Sequence, residues 1–143
     1  MSGSARTPAA VARVVMSLFY LAAGVAHLLY VDGFVRITPN WVPFPAAVIV
    51  LTGVCELAGG VGLWIPRLRW LSGLMLGLYA VCVFPANIHH ALDHVDVPGL
   101  PSSWWYHAPR LAMQPVLVWA ALLAGRVVAW PWRAESVRRL SRS

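Results

Sequence analysis

The chain has 143 residues, 59% of them hydrophobic and 11% charged, and its net charge of +6 rests on arginine without any lysine. That composition sets it among integral membrane proteins with room for one domain. It argues against nucleic-acid binding, because the arginines flank apolar runs instead of lining one face. Two cysteines, Cys55 and Cys82, fall inside apolar runs and read as small buried hydrophobes, making neither a disulfide framework nor a CxxC motif.

Residues 1–8 are small and polar and read as a cytoplasmic tail. Ala9 to Tyr30 is the first apolar run. Arg6 and Arg13 precede an apolar stretch, as in a signal peptide, but the run is too long for one, and three more spans follow, so it is a retained helix. Val31 to Phe44 reads as a loop, broken by Asp32, Gly33, Pro39, Asn40 and Pro43. Pro43 and Pro45 open the second span, which ends at Ile65 before Pro66. It is long enough to cross a bilayer, since a helix needs about 20 residues to do so.

Pro66–Arg67–Leu68–Arg69 is a tight basic turn. Trp70 to Leu92 is the third span, bent at Pro85. A Pro-, Gly-, Ser- and Trp-rich connection runs to Pro109, and Arg110 to Trp130 is the fourth span, stopped by Pro131. The transmembrane domain is therefore 9–132. Residues 133–143, with Arg133, Arg138, Arg139 and Arg142, read as a basic surface tail suited to anionic lipid.

These readings predict an all-α protein, a four-transmembrane-helix bundle in the lipid bilayer. Arg6, Arg13, Arg67, Arg69 and the tail fall on one side, while the other holds Asp32, Asp93 and Asp96 against only Arg36 and Arg110. The positive-inside rule then places both termini in the cytoplasm. Trp41, Trp64, Trp70, Trp104, Trp105, Trp130 and Trp132 lie at span ends, where an aromatic belt forms.

Each span carries polar residues at helical spacing. Arg13, Ser17, Tyr20, Gly24 and His27 share a face of the first span, and Thr52, Glu56 and Gly60 a face of the second. Asn87 and His90 mark the third, Arg110 and Gln114 the fourth. Counted from the outer ends, His27, Asn87, His90, Arg110 and Gln114 form one shallow layer, with Glu56 deeper at the floor of an outward-facing pocket. Arg13 and His27 are each about a helical turn or more from Glu56, so its carboxyl is expected to hydrogen-bond Tyr20 or Tyr79. An ionisable group inside a span is a functional candidate by default. Interhelical packing is the competing reading, and it suits Ser17, Thr52 and Gly24 best. His89, His90, Asp93 and His94 spell H-x-x-D-H, but no second cluster completes a metal site, so no metal is assigned.

Ala23–Gly24–Val25–Ala26–His27, Ile37–Thr38–Pro39–Asn40–Trp41–Val42–Pro43 and Thr52–Gly53–Val54–Cys55–Glu56–Leu57–Ala58–Gly59–Gly60 resemble the DoxX-like family. So do Phe84–Pro85–Ala86–Asn87–Ile88 and Arg110–Leu111–Ala112–Met113–Gln114. The resemblance implies a bacterial four-helix membrane protein in redox company, since such relatives include the membrane subunit of a thiosulfate:quinone oxidoreductase. Others act as assembly factors or chaperones. The expectation is a redox-associated subunit of the inner membrane whose pocket takes a quinone-like or other small amphipathic ligand. Glu56 and His27 would handle protons, and Tyr20, Asn87, His90, Arg110 and Gln114 would bind the ligand. A membrane or peripheral redox partner would carry electrons. Quinone is the admissible cofactor, haem and metal are disfavoured, and an oligomer is compatible with the sequence. A non-catalytic scaffold or assembly factor is the alternative.

Overall fold

Proline and glycine punctuate this chain, and the helix ends follow them. The computed structural model describes residues 6–93, 97–99 and 101–129. Among these it has six α-helices and no strand: α1 (Arg6–Leu29), α2 (Val31–Ile37), α3 (Pro45–Gly62), α4 (Arg69–Leu92), α5 (Trp104–Ala112) and α6 (Gln114–Ala124). Pro45 opens α3 at a position that needs no donor, and Pro85 lies inside α4. Pro8–Leu29, Pro45–Gly62 and Arg69–Leu92 are each long and apolar enough to cross a membrane.

Two stretches depart from the sequence reading. The expected loop after the first span opens with helix α2. Asp32 and Gly33 give that stretch the composition of a loop, but Ile37 is buried and Thr38 caps the end by donating its Oγ1 to Phe34 O at 2.9 Å. The expected fourth span is two helices. Pro115 has no N–H to give Leu111 O, so the chain breaks at Met113. α5 also begins six residues before Arg110, capped by Ser103, and α6 stops at Ala124 rather than Trp130.

That stop is a Schellman turn. Arg126 takes φ 60°, its N–H donates to Leu123 O at 3.0 Å, and Val127 N–H donates to Leu122 O at 2.8 Å. Residues 1–5, His94, Asp96, Trp130 and Trp132, with the basic tail, lie outside the described residues.

α1 packs against α3 and α6, while α4 packs against α6 and α3. Met16, Tyr20, Leu63, Leu76, Ala121 and Ala124 form the apolar centre. The α1–α3 contact closes through glycine, because a Cβ on Gly24 would sit 2.8 Å from Gly53 O. Gly73 and Gly125 do the same for α4 and α6, where a Cβ on Gly73 would lie 2.5 Å from Gly125 Cα.

The surface is the inverse of a water-soluble protein's. Arg13, Ser17, Glu56, Ser72, His90, His107 and Gln114 are buried, while Leu18, Leu51, Val54, Leu71, Met75, Leu78 and Val81 are exposed. Hydrocarbon solvent selects that arrangement, since polar groups must then find partners inside. Cys55 and Cys82 are unpaired and, contrary to the sequence reading, exposed, with Cys82 at the wall of a cavity.

Candidate functional site

Glu56 lies on the inward face of α3, 2% exposed. His27 on α1 meets it, Nδ1 standing 2.7 Å from Glu56 Oε2. The same nitrogen is 3.0 Å from Ala23 O, one turn back on its own helix. The hydrogen bond goes to the backbone carbonyl, while Glu56 Oε2 stands at ion-pair distance without hydrogen-bond geometry. The sequence reading separates His27 from Glu56 by a helical turn. The glycine contact at Gly24 and Gly53 removes that gap, because it draws the two backbones together and the imidazole spans the rest.

The tyrosines divide their work. Tyr20 donates its hydroxyl to Leu76 O at 3.1 Å, leaving its ring edge-on to Tyr79 at 6.2 Å. Tyr79 is the one in hydrogen-bonding reach of Glu56 and Thr52. Phe34 of α2 stacks on the His27 imidazole, with centroids 3.9 Å apart and planes 25° apart, and so fixes the ring from above.

The second polar group sits where α4, α5 and α6 meet. Arg110 Nη2 donates to Asn87 Oδ1 at 2.6 Å, and Asn87 Nδ2 donates to Gln114 Oε1 at 3.2 Å. Gln114 Nε2 in turn donates to Ala80 O. Arg110 Nη1 is 2.8 Å from His90 Nδ1. Arginine carries only donors, so His90 Nδ1 accepts and its proton resides on Nε2. His107 packs edge-on to His90, with centroids 4.7 Å apart, and the Tyr106 ring lies 5.7 Å from the Arg110 guanidinium.

A cavity of about 580 Å³ joins the two groups. Glu56, His27, Tyr20, Tyr79, Asn87, Arg110 and Gln114 line it, and its remaining wall is largely apolar, from Phe19 and Ala23 to Val83 and Leu117. Six of the seven residues singled out in the sequence therefore face one space. His90 does not line it and stands behind Arg110, holding the guanidinium in place.

Two contributors escape the sequence reading, because Phe34 and His107 fall in stretches read as loops; Tyr79 is one of the two partners expected for the carboxyl. The signals present are spacing ones: Phe34 and Ile37, and His107 and Arg110, are each one helical turn apart. His89, of the H-x-x-D-H stretch, pairs instead with Asp93 at 3.1 Å.

No curated protein and no solved structure matches the chain. A family model described as a domain of unknown function (DUF8561) matches residues 16–124, from the middle of α1 to the last residue of α6. The match covers the cavity and nearly all of its walls, and the chain belongs to the DUF8561 family.

Proposed function

We propose that this protein is a multi-pass inner-membrane subunit that binds a quinone-like or similarly small amphipathic ligand in the α1–α3–α4–α6 cavity. Its four spans are α1, α3, α4 and the broken α5–α6 pair, with both termini in the cytoplasm and the cavity opening outward. The observation that carries the reading is the pairing of opposite chemistries across one apolar space. Donors on Arg110, Asn87 and Gln114 stand at one end, and the Glu56–His27 pair at the other.

A flat ligand with polar atoms at its ends suits such a space, since apolar walls take its body and a few fixed polar groups orient it. The donor group would hold a carbonyl oxygen and stabilise negative charge developing there. The Glu56–His27 pair would give or take the proton at the other end. Electrons would come from a partner protein carrying a redox group. The likeness of the FPANI and TGVCELAGG stretches to DoxX-like proteins supports redox company of this kind.

A second reading, a scaffold or assembly factor, is favoured by one observation. Arg110, Asn87, Gln114 and Ala80 O already satisfy one another, as packing alone would require. The two separate in one experiment. Detergent-purified protein is extracted for bound quinone and then titrated with a short-chain quinone, following tryptophan fluorescence. Saturable quenching that weakens in Glu56→Gln and Arg110→Ala supports the ligand site. A folded protein that neither retains nor binds quinone is the scaffold.

A further inference from the structure

At the end of the molecule away from His27 and Asn87, three arginines from separate elements come together. Arg13 is on the first turns of α1, Arg69 opens α4, and Arg126 follows α6. Arg13 lies within electrostatic reach of both Arg69 and Arg126. The packing imposes this: Gly125 sits against Gly73 and against Arg69 O, which places the next residue, Arg126, beside the start of α4.

Arg13 is only 9% exposed, and its Nε and Nη2 are buried without hydrogen-bond partners among the described residues. Arg69 is half-buried, its Nε donating to Leu63 O at 3.0 Å, and Arg126 is exposed. No carboxylate among the described residues offsets them. Asp32 and Asp93 are at the other end, and Glu56 is paired with His27 in the cavity. A buried cation without an anion is costly, and three like charges repel. Arg126 also holds its place at φ 60°, where glycine is the favoured residue. The chain keeps a charge at a position whose backbone favours glycine or asparagine.

We propose that Arg13, Arg69 and Arg126 form a binding site for a phosphate-bearing anion, separate from the cavity and independent of what fills it. Arg69 and Arg126 supply reachable donors, and Arg13 the positive field behind them. Guanidinium groups suit phosphate because their forked donors match its oxygens. Trp64 and Trp70, both about half exposed, flank this end. Tryptophan at that position marks the headgroup level, so the phosphate of an anionic lipid is the source closest to hand. Trp64 is itself fixed by donating its Nε1 to Ser17 Oγ at 2.9 Å, one turn from Arg13. That makes its fluorescence a reporter of the site.

The test uses the full chain, stripped of native lipid in neutral detergent. Short-chain phosphatidylglycerol, the matching phosphatidylcholine and inorganic phosphate are titrated separately, with thermal stabilisation and tryptophan fluorescence as readouts. The expected result is saturable binding of phosphatidylglycerol, weakened about tenfold in Arg126→Asn and in Arg69→Gln, and at most weak binding of phosphatidylcholine. Asparagine tolerates the Arg126 backbone, so that variant isolates the charge. Inorganic phosphate competing at the same residues, without lipid binding, would support the phosphate site and assign it to a soluble anion. Equal phosphatidylglycerol binding by wild type and both variants would overturn the proposal. So would binding that appears only in Glu135→Gln, since a carboxylate of the chain would then hold the three arginines.

Discussion

His27 Nδ1 stands 2.7 Å from Glu56 Oε2 while also facing Ala23 O at 3.0 Å. The imidazole is thus tied to its own helix while its nitrogen meets the one carboxyl on α3. An imidazolium beside a carboxylate leaves such a pair neutral overall, which suits the middle of an apolar bundle.

Glu56→Gln retains shape and hydrogen bonding but removes the charge. It is expected to leave insertion and folding intact and to weaken quinone binding. A Gln variant that binds quinone as tightly as the wild type would show that the carboxylate plays no part. Glu56→Leu, by contrast, should destabilise by about 1–3 kcal/mol, because Tyr79 and His27 lose a buried partner.

Gly24→Ala tests the contact that brings this pair together. The added Cβ would meet Gly53 O at 2.8 Å, a backbone atom that cannot turn aside. Prising α1 from α3 should cost about 1–3 kcal/mol, read as a lower unfolding midpoint in detergent. Ligand affinity should fall with it, since His27 and Glu56 lie on the two helices being separated.

Arg110→Gln removes the donor shared by His90 Nδ1 and Asn87 Oδ1. Each group left unsatisfied costs about 1–3 kcal/mol, so a fall in thermal stability is expected even without ligand. Arg110→Lys should recover only part of it, because an ammonium does not reproduce the guanidinium's planar fork between two fixed acceptors.

Reporter fusions check the topology. Fusions after Arg69 and at Ser143 should read cytoplasmic, and fusions between Pro98 and Ser103 external. An external signal at Ser143, with 98–103 also external, would reduce the chain to its three long spans, and a cytoplasmic signal from 98–103 would overturn the topology altogether.

Cys55 offers an independent check on the lipid-facing surface, and Cys82 on access to the cavity. Both are exposed in the structure, and Cys82 also lines the cavity. In membranes, a charged maleimide should leave Cys55 unlabelled, while labelling of Cys82 would show that the cavity admits the reagent. After denaturation it should label two thiols per chain, and mass analysis without reductant should show no linked pair.

The long helices were legible because their punctuation is chemical. Pro45, Pro66 and the Arg67–Arg69 turn mark ends that any apolar run would respect, and they hold to within a few residues. The candidate site was legible for a related reason, since a polar side chain in a span has few places to go except inward. What stayed hidden depends on contacts between helices. Asp32 and Gly33 look like a loop until Phe34 packs on His27. Pro115 disappears into an apolar run although it splits α5 from α6. Depth counted along single helices misplaces His27, because Gly24 and Gly53 set the spacing of two helices at once.

The break at Met113 gives Asn87 an unusual position. Its oxygen is held by Arg110 on α5 and its nitrogen by Gln114 on α6. One amide is therefore gripped at each end by levers with a common fulcrum. Gln114 is anchored to Ala80 O and buried, whereas α5 carries Trp104 and Trp105 on the outside. Tilting α5 would release the oxygen alone, turning a side chain that bridges two helices into an open acceptor at the wall of the cavity. A movement at the molecule's surface is thereby converted into a change of hydrogen-bonding character inside it.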